Sequence, residues 1–186
     1  QGPGEAMPAQ LGTGAEGTGG FYTQEEVRDL IEEAAKLHVD IMPEFDIPGH
    51  CTAVLAALPH LKDKEEPEDN YRSVQGYPNN ALNPAMEETF EFLQTVFTEV
   101  AALFPFDYIH VGGDEVADGS WLQSPKTQAM MKETGLSGTA ELQAHLLGRA
   151  QGIIASLGKK MAGWDEVSHG GGVKGSLLMA WQKPEV

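Results

Sequence analysis

The residues best suited to chemistry fall in four clusters. In His110-Val111-Gly112-Gly113-Asp114-Glu115, two adjacent carboxylates stand directly behind a pair of glycines. Neighbouring carboxylates push their proton affinities apart, so one stays ionised while the other keeps a proton to donate. Cleavage of an acetal asks for that pairing. Adjacent Asp and Glu are common on acidic surfaces, but a preceding apolar run and two glycines set this pair apart from a solvated turn. Pro43-Glu44-Phe45-Asp46-Ile47-Pro48-Gly49-His50 adds Asp46 and His50; Gly163-Trp164-Asp165-Glu166 adds an aromatic ring and a second acid pair; Trp181 follows a fourth apolar run. His50 and His110 suit tuning of a carboxylate beside them. With Asp46, Asp114 or Glu115 they could also ligate a metal, but no His-Glu-x-x-His or His-x-His spacing is present, so neither metal nor cofactor is expected. Trp164 and Trp181 can stack on the apolar face of a sugar ring. Trp121, in a loop, says less.

The elements that must position these clusters can be read from periodicity. Thr23-Gln24-Glu25-Glu26 has capping-box spacing, and Val27, Leu30, Ile31, Ala34 and Leu37 behind it keep a helical period. Val39 to Met42 reads as a short buried strand ending at Pro43. Residues 63–83 read as a long surface loop, and Asn83-Pro84 as the cap and first position of a helix carrying Phe90, Leu93, Val96, Phe97 and Val100. Tyr108–Val111, Lys160–Ala162 and Leu177–Ala180 read as three further strands. Ser124-Pro125 opens one more helix, and Leu142, Leu146, Ile153 and Leu157 mark another that Gly158 caps. Helices alternating with short apolar strands imply a parallel sheet covered by helices, either a barrel or a doubly wound sheet. In both, ligands bind at the carboxyl ends of the strands, which is where all four clusters fall.

Size and charge narrow the function. At 186 residues with 41% hydrophobic and 22% charged side chains, the chain suits one globular domain, with 1–20 a Gly-rich loop or leader and 21–186 the domain itself. The net charge of −16 argues against nucleic-acid and anionic-lipid partners, which need Lys and Arg to displace counterions. Cys51 is the single cysteine, so no intrachain disulfide forms. There is no apolar run of about 18 residues to span a membrane and no signal-peptide pattern at the start. The chain starts at Gln1 with its first methionine at Met7, which reads as a piece of a longer protein.

His110-Val111-Gly112-Gly113-Asp114-Glu115 resembles the H-x-G-G-D-E motif of family 20 glycoside hydrolases, the β-N-acetylhexosaminidases. Gly20-Phe21-Tyr22-Thr23, Pro43 to His50 and Gly163 to Glu166 agree with it, so the resemblance covers residues 20–181. It implies a (β/α)8 TIM-type barrel that removes terminal β-linked N-acetylglucosamine or N-acetylgalactosamine from glycans. It also implies substrate-assisted retention, in which the substrate's own 2-acetamido group is the nucleophile. By the same resemblance Glu115 is the general acid/base and Asp114 orients and stabilises the acetamido group. His50 supports Glu115, Trp164 and Trp181 wall the sugar, and His110 and Asp46 lie behind the catalytic pair. A secreted, periplasmic or lysosome-like location fits the family. The family's arginine-bearing early strand and its later Tyr, Asp and Trp segments have no counterpart in these 186 residues. A complete barrel takes about 250 residues, so the chain is expected to hold about strands three to six. An alternative is a catalytically incomplete carbohydrate-binding fragment completed by the rest of the barrel, by a partner chain or by a second copy. A metal-dependent barrel hydrolase is a third reading.

Overall fold

A computed structural model of the chain describes residues 20–181, so the expected leader lies outside the described residues except for Gly20. The capping box forms at α1 (Gln24–Lys36): the Thr23 hydroxyl accepts from the Glu26 amide, and the Glu26 carboxylate accepts from the Thr23 amide at 2.7 Å. The stripe behind it is thinly covered, with Val27, Ile31 and Ala34 half-buried and Leu30 and Leu37 exposed.

The strand expected at Val39–Met42 lies instead at β1 (Glu44–Ile47). Proline lacks an N–H but keeps its carbonyl, and pairing starts there, because the His110 amide donates to the Pro43 carbonyl at 2.9 Å. The Val39 amide is drawn back to Ala34 at 3.0 Å, closing the end of α1. Pro43 therefore begins the strand rather than ending it. After α2 (Thr52–Ala57) and a 3₁₀ turn (Pro59–Leu61), residues 63–83 form a loop, but not wholly a surface one. Leu82 is fully buried and its amide donates to Pro48 at 2.9 Å. Nor does Asn83 cap a helix. It is buried, receiving the Ala85 amide at 2.8 Å and the Thr127 hydroxyl at 3.0 Å while donating to Asp63 at 2.9 Å, and α3 (Glu87–Leu103) starts four residues later.

β2 (Tyr108–Gly112) runs one residue past the apolar stretch, and α4 (Pro125–Thr134) is capped by the Ser124 hydroxyl as expected. α5 (Thr139–Ser156) buries Leu142, Leu146 and Ile154, with Gly158 in the left-handed region at φ +76° beyond its end. β3 (Lys160–Trp164) and β4 (Leu177–Met179) are joined only by a 3₁₀ segment, Asp165–Gly171.

All three strand pairings are parallel, and the order across the sheet is β1-β2-β3-β4. A doubly wound sheet would reverse direction at a switch point; strands laid down in chain order make part of a TIM-type barrel. Phe90, Leu93 and Phe97 of α3 and Leu146, Ala150 and Ile154 of α5 pack with Ile109, Val111 and Met161 of the sheet into the main core. Trp121 is fully buried in a smaller cluster with Tyr71, Ala81 and Leu142. Among the described residues no helix is long and apolar enough to cross a membrane.

Candidate active site

Because β1 is displaced, Asp46 lies inside a strand rather than beyond one, and His50 lies just past its carboxyl end. Asp114 and Glu115 follow the end of β2. The four come together around the His50 ring. Its Nε2 is 3.4 Å from Asp114 Oδ2, 3.4 Å from Glu115 Oε2 and 3.9 Å from Asp46 Oδ2. His50 and Glu115 both take left-handed backbone conformations, at φ 53° and 51°. Each such non-glycine residue costs on the order of 1–3 kcal/mol, a strain that folds retain at functional sites.

Two neighbours make the close approach possible. Gly112 sits against β1 so tightly that a Cβ there would lie 2.0 Å from Asp46 Oδ1. From α5, the buried Gln143 amide donates to the Gly113 carbonyl at 2.6 Å, holding the backbone that leads into Asp114. Burial first, and then the charge of Asp114 and a hydrogen bond with it, push the Asp46 carboxyl up to about 8. Asp46 therefore keeps its proton at neutral pH, beside the Asp114 carboxylate group. Asp46 Oδ1 and Asp114 Oδ1 are both buried without a protein partner among the described residues.

His110, 2% exposed, lies in β2. Its Nδ1 is 3.1 Å from Glu44 Oε1 and 3.2 Å from the Gly112 amide, which demand opposite protonation of that nitrogen. The charge-assisted pair is the stronger, so we assign the N–H to Nδ1, donating to Glu44. Burial lowers the ring's proton affinity against the pull of Glu44 and Asp114, which keeps the ring neutral. From His110 an aromatic row runs outward. The Trp164 ring meets His110 edge-on at 4.8 Å, and Trp181 meets Trp164 at 6.3 Å and 57°. Neither tryptophan is in the core: Trp164 is half-buried and Trp181 is 48% exposed.

Residues 5–186 match glycosyl hydrolase family 20, catalytic domain. This chain belongs to glycosyl hydrolase family 20. Among its relatives, a β-hexosaminidase of Vibrio furnissii is 47% identical over 95% of the chain, which spans 29% of that protein. A β-hexosaminidase subunit alpha of Rattus norvegicus is 31% identical over 79% of the chain, spanning 27% of the subunit. Among solved structures, the family 20 exo-β-N-acetylglucosaminidase of Vibrio harveyi in complex with N-acetylglucosamine superposes with a TM-score of 0.85 at 46% identity, over 89% of this chain and 26% of that one. A Flavobacterium johnsoniae chitobiase superposes with a TM-score of 0.75 at 30% identity, over 88% and 25%. The chain thus spans less than a third of the length of these family 20 proteins.

Some contacts of this family 20 site were invisible in the sequence reading. Gln75, at the tip of the 63–83 loop, reaches Glu115 Oε2 at 3.5 Å, and no local pattern marks it. Gln143 did leave a signal, as a polar residue among the apolar positions of α5. Glu44 belongs to the Pro43–His50 motif, yet its partner, His110, lies on another strand.

Proposed function

We propose that the chain supplies the acid/base centre of a glycosidase removing terminal β-linked N-acetylglucosamine or N-acetylgalactosamine with retention. The observation that carries this reading is the equal 3.4 Å spacing of His50 Nε2 from both Asp114 and Glu115. Glu115 donates its proton to the glycosidic oxygen as the C1–O bond breaks, and later takes one from water. The substrate's acetamido oxygen attacks C1, so no covalent bond to the protein forms. Asp114 accepts from the acetamido N–H and steadies the positive charge that develops on it. The proton that Asp46 holds keeps a second buried negative charge away from Asp114. His50 lies between the two carboxylates and orients them; His110 backs Trp164, which with Trp181 walls the sugar.

The test is turnover of aryl N-acetyl-β-glucosaminides by the full-length protein. Glu115→Gln removes the proton donor, so good leaving groups, which need little protonation, are affected least; poor ones lose about 10²–10⁴-fold. Asp114→Asn lowers the rate on every substrate alike. Equal losses across leaving groups for both variants would sink this assignment.

Asp46, His50 and Asp114 also offer ligand atoms within 4.8 Å of one another, which favours a metal-dependent hydrolase as a second reading. A metal bound there would have to displace the proton that Asp46 otherwise keeps to about pH 8. Activity that is unchanged after chelation supports the metal-free mechanism, and activity restored only by a divalent cation supports the other.

A further inference from the structure

We propose that Glu166 is a positioning residue for substrate recognition, fixing the indole of Trp181 at the angle where it meets Trp164. The proposal rests on the reading above that these two rings wall the sugar. Trp181 stands just beyond β4, a strand of three residues in which Leu177 and Met179 are 45% and 38% exposed. Core packing does not explain why this ring has a defined orientation. Polar contacts do. The indole N–H donates to Glu166 Oε2 at 2.9 Å, a charge-assisted bond, and the Trp181 amide points at Asp165 Oδ1 at 3.4 Å.

Asp165 and Glu166 are the first two residues of the 3₁₀ segment that follows β3. Consecutive acids at the end of one strand therefore hold both the backbone and the ring of the residue beyond the next strand. The clasp sets the 57° angle between the two indoles. Trp164 is in turn set edge-on against buried His110, so its position is given by the core. Among the described residues no buried ring backs Trp181 in this way, and Glu166 supplies the restraint. An unclasped indole would have to be ordered by the sugar itself, which weakens binding without touching the chemistry at Asp114 and Glu115.

The experiment is steady-state kinetics of the full-length protein on p-nitrophenyl N-acetyl-β-glucosaminide. Titration with N-acetylglucosamine, followed by tryptophan fluorescence, repeats the comparison without turnover. Glu166→Ala is expected to raise KM roughly tenfold with kcat within about twofold, the size of effect that freeing one clamped side chain gives. Glu166→Gln keeps an acceptor oxygen and recovers most of that loss. Trp181→Phe keeps an aromatic face but no donor; adding Glu166→Ala to it should do no further harm. An unchanged KM in Glu166→Ala, a loss confined to kcat, or losses that multiply in the double variant would overturn the clasp while leaving the sugar wall standing. An unchanged KM in Trp181→Phe together with Trp181→Ala would instead overturn the wall, and the clasp with it. Should Glu166→Ala fail to fold, Glu166→Met, which keeps the length of the side chain but offers no acceptor oxygen, makes the same comparison with and without Trp181→Phe.

Discussion

Asp46 is the residue whose charge state the fold changes most, because β1 carries it into a half-buried position beside a second carboxylate. The sign of its effect on stability follows from the direction of the shift. In the unfolded chain Asp46 ionises near 3.9, as a free aspartate does, whereas in the folded protein it keeps its proton to about 8. Its contribution to stability is therefore fully present below about pH 4 and is lost as pH rises toward 8. Asp46→Asn cannot ionise and still donates toward Asp114, so the variant should gain on the wild type as pH rises. We expect its melting temperature, relative to wild type, to climb between pH 5 and about pH 8 and then level off in the full-length protein. A difference that stays flat over that range would remove the protonated Asp46 from the account. Cys51 is the converse case, since burial pushes its thiol up to about 12, which leaves it inert at neutral pH.

At the scale of elements, the site depends on how closely β1 and β2 approach at their carboxyl ends. Gly112 is the contact point. Its φ of +66° lies in the left-handed region, and an added Cβ would come within 2.8 Å of the Asp46 Cα, which is backbone and cannot turn aside. Gly112→Ala should therefore cost at least about 1–2 kcal/mol from the backbone conformation alone, with displacement of Asp46 in addition. Gly152, on the exposed side of α5, has open space where a Cβ would go. Gly152→Ala should stabilise the protein by about 0.5–1 kcal/mol, because alanine gives up less backbone freedom in a helix. Thermal melts of the two variants should move in opposite directions, and only Gly112→Ala should reduce activity. A Gly112→Ala variant as stable and as active as wild type would show that the approach of the two strands is not what sets the site.

For the molecule as a whole, the sheet among the described residues ends at β1 on one side and at β4 on the other. Each edge presents unpaired N–H and C=O groups, which are templates for pairing with another chain. In and just beyond β4 lie the exposed Leu177, Met179 and Trp181, and in and around α1 the exposed Phe21, Leu30, Leu37 and Val39. Each buried side chain of this kind is worth about 1.5–3 kcal/mol, so leaving several in water is comparable to the ~5–15 kcal/mol that holds a domain together. These 186 residues produced alone should self-associate or melt without a sharp transition, with the charge of −16 slowing aggregation rather than preventing it. Light scattering and thermal melting test this; a monodisperse monomer with one cooperative melt would mean that the exposed edges matter less than their chemistry suggests.

The chemistry-bearing residues were legible because their types and order along the chain carry the information. Asp114-Glu115 behind two glycines, Asp46 and His50 around a proline, and a tryptophan at or just past the end of each of two strands need no coordinates to be noticed. Helix ends were legible too at Thr23, Ser124 and Gly158, where capping is a local matter of one side chain and a few backbone groups. Pairing was not. Only the ladder between Pro43 and His110 decided that the first strand begins at the proline, because a hydrogen bond across the sheet leaves no mark on either sequence segment alone. Asn83 had the local credentials of a helix cap, but a buried network with Asp63 and Thr127 claimed it instead. The choice between a barrel and a doubly wound sheet likewise lay in the order of strands across the sheet, which periodicity along the chain does not encode. The partners that tune and orient the site come from elements 15 to 66 residues away in sequence. Glu166 for Trp181 and Glu44 for His110 could be found only once the chain had folded them together.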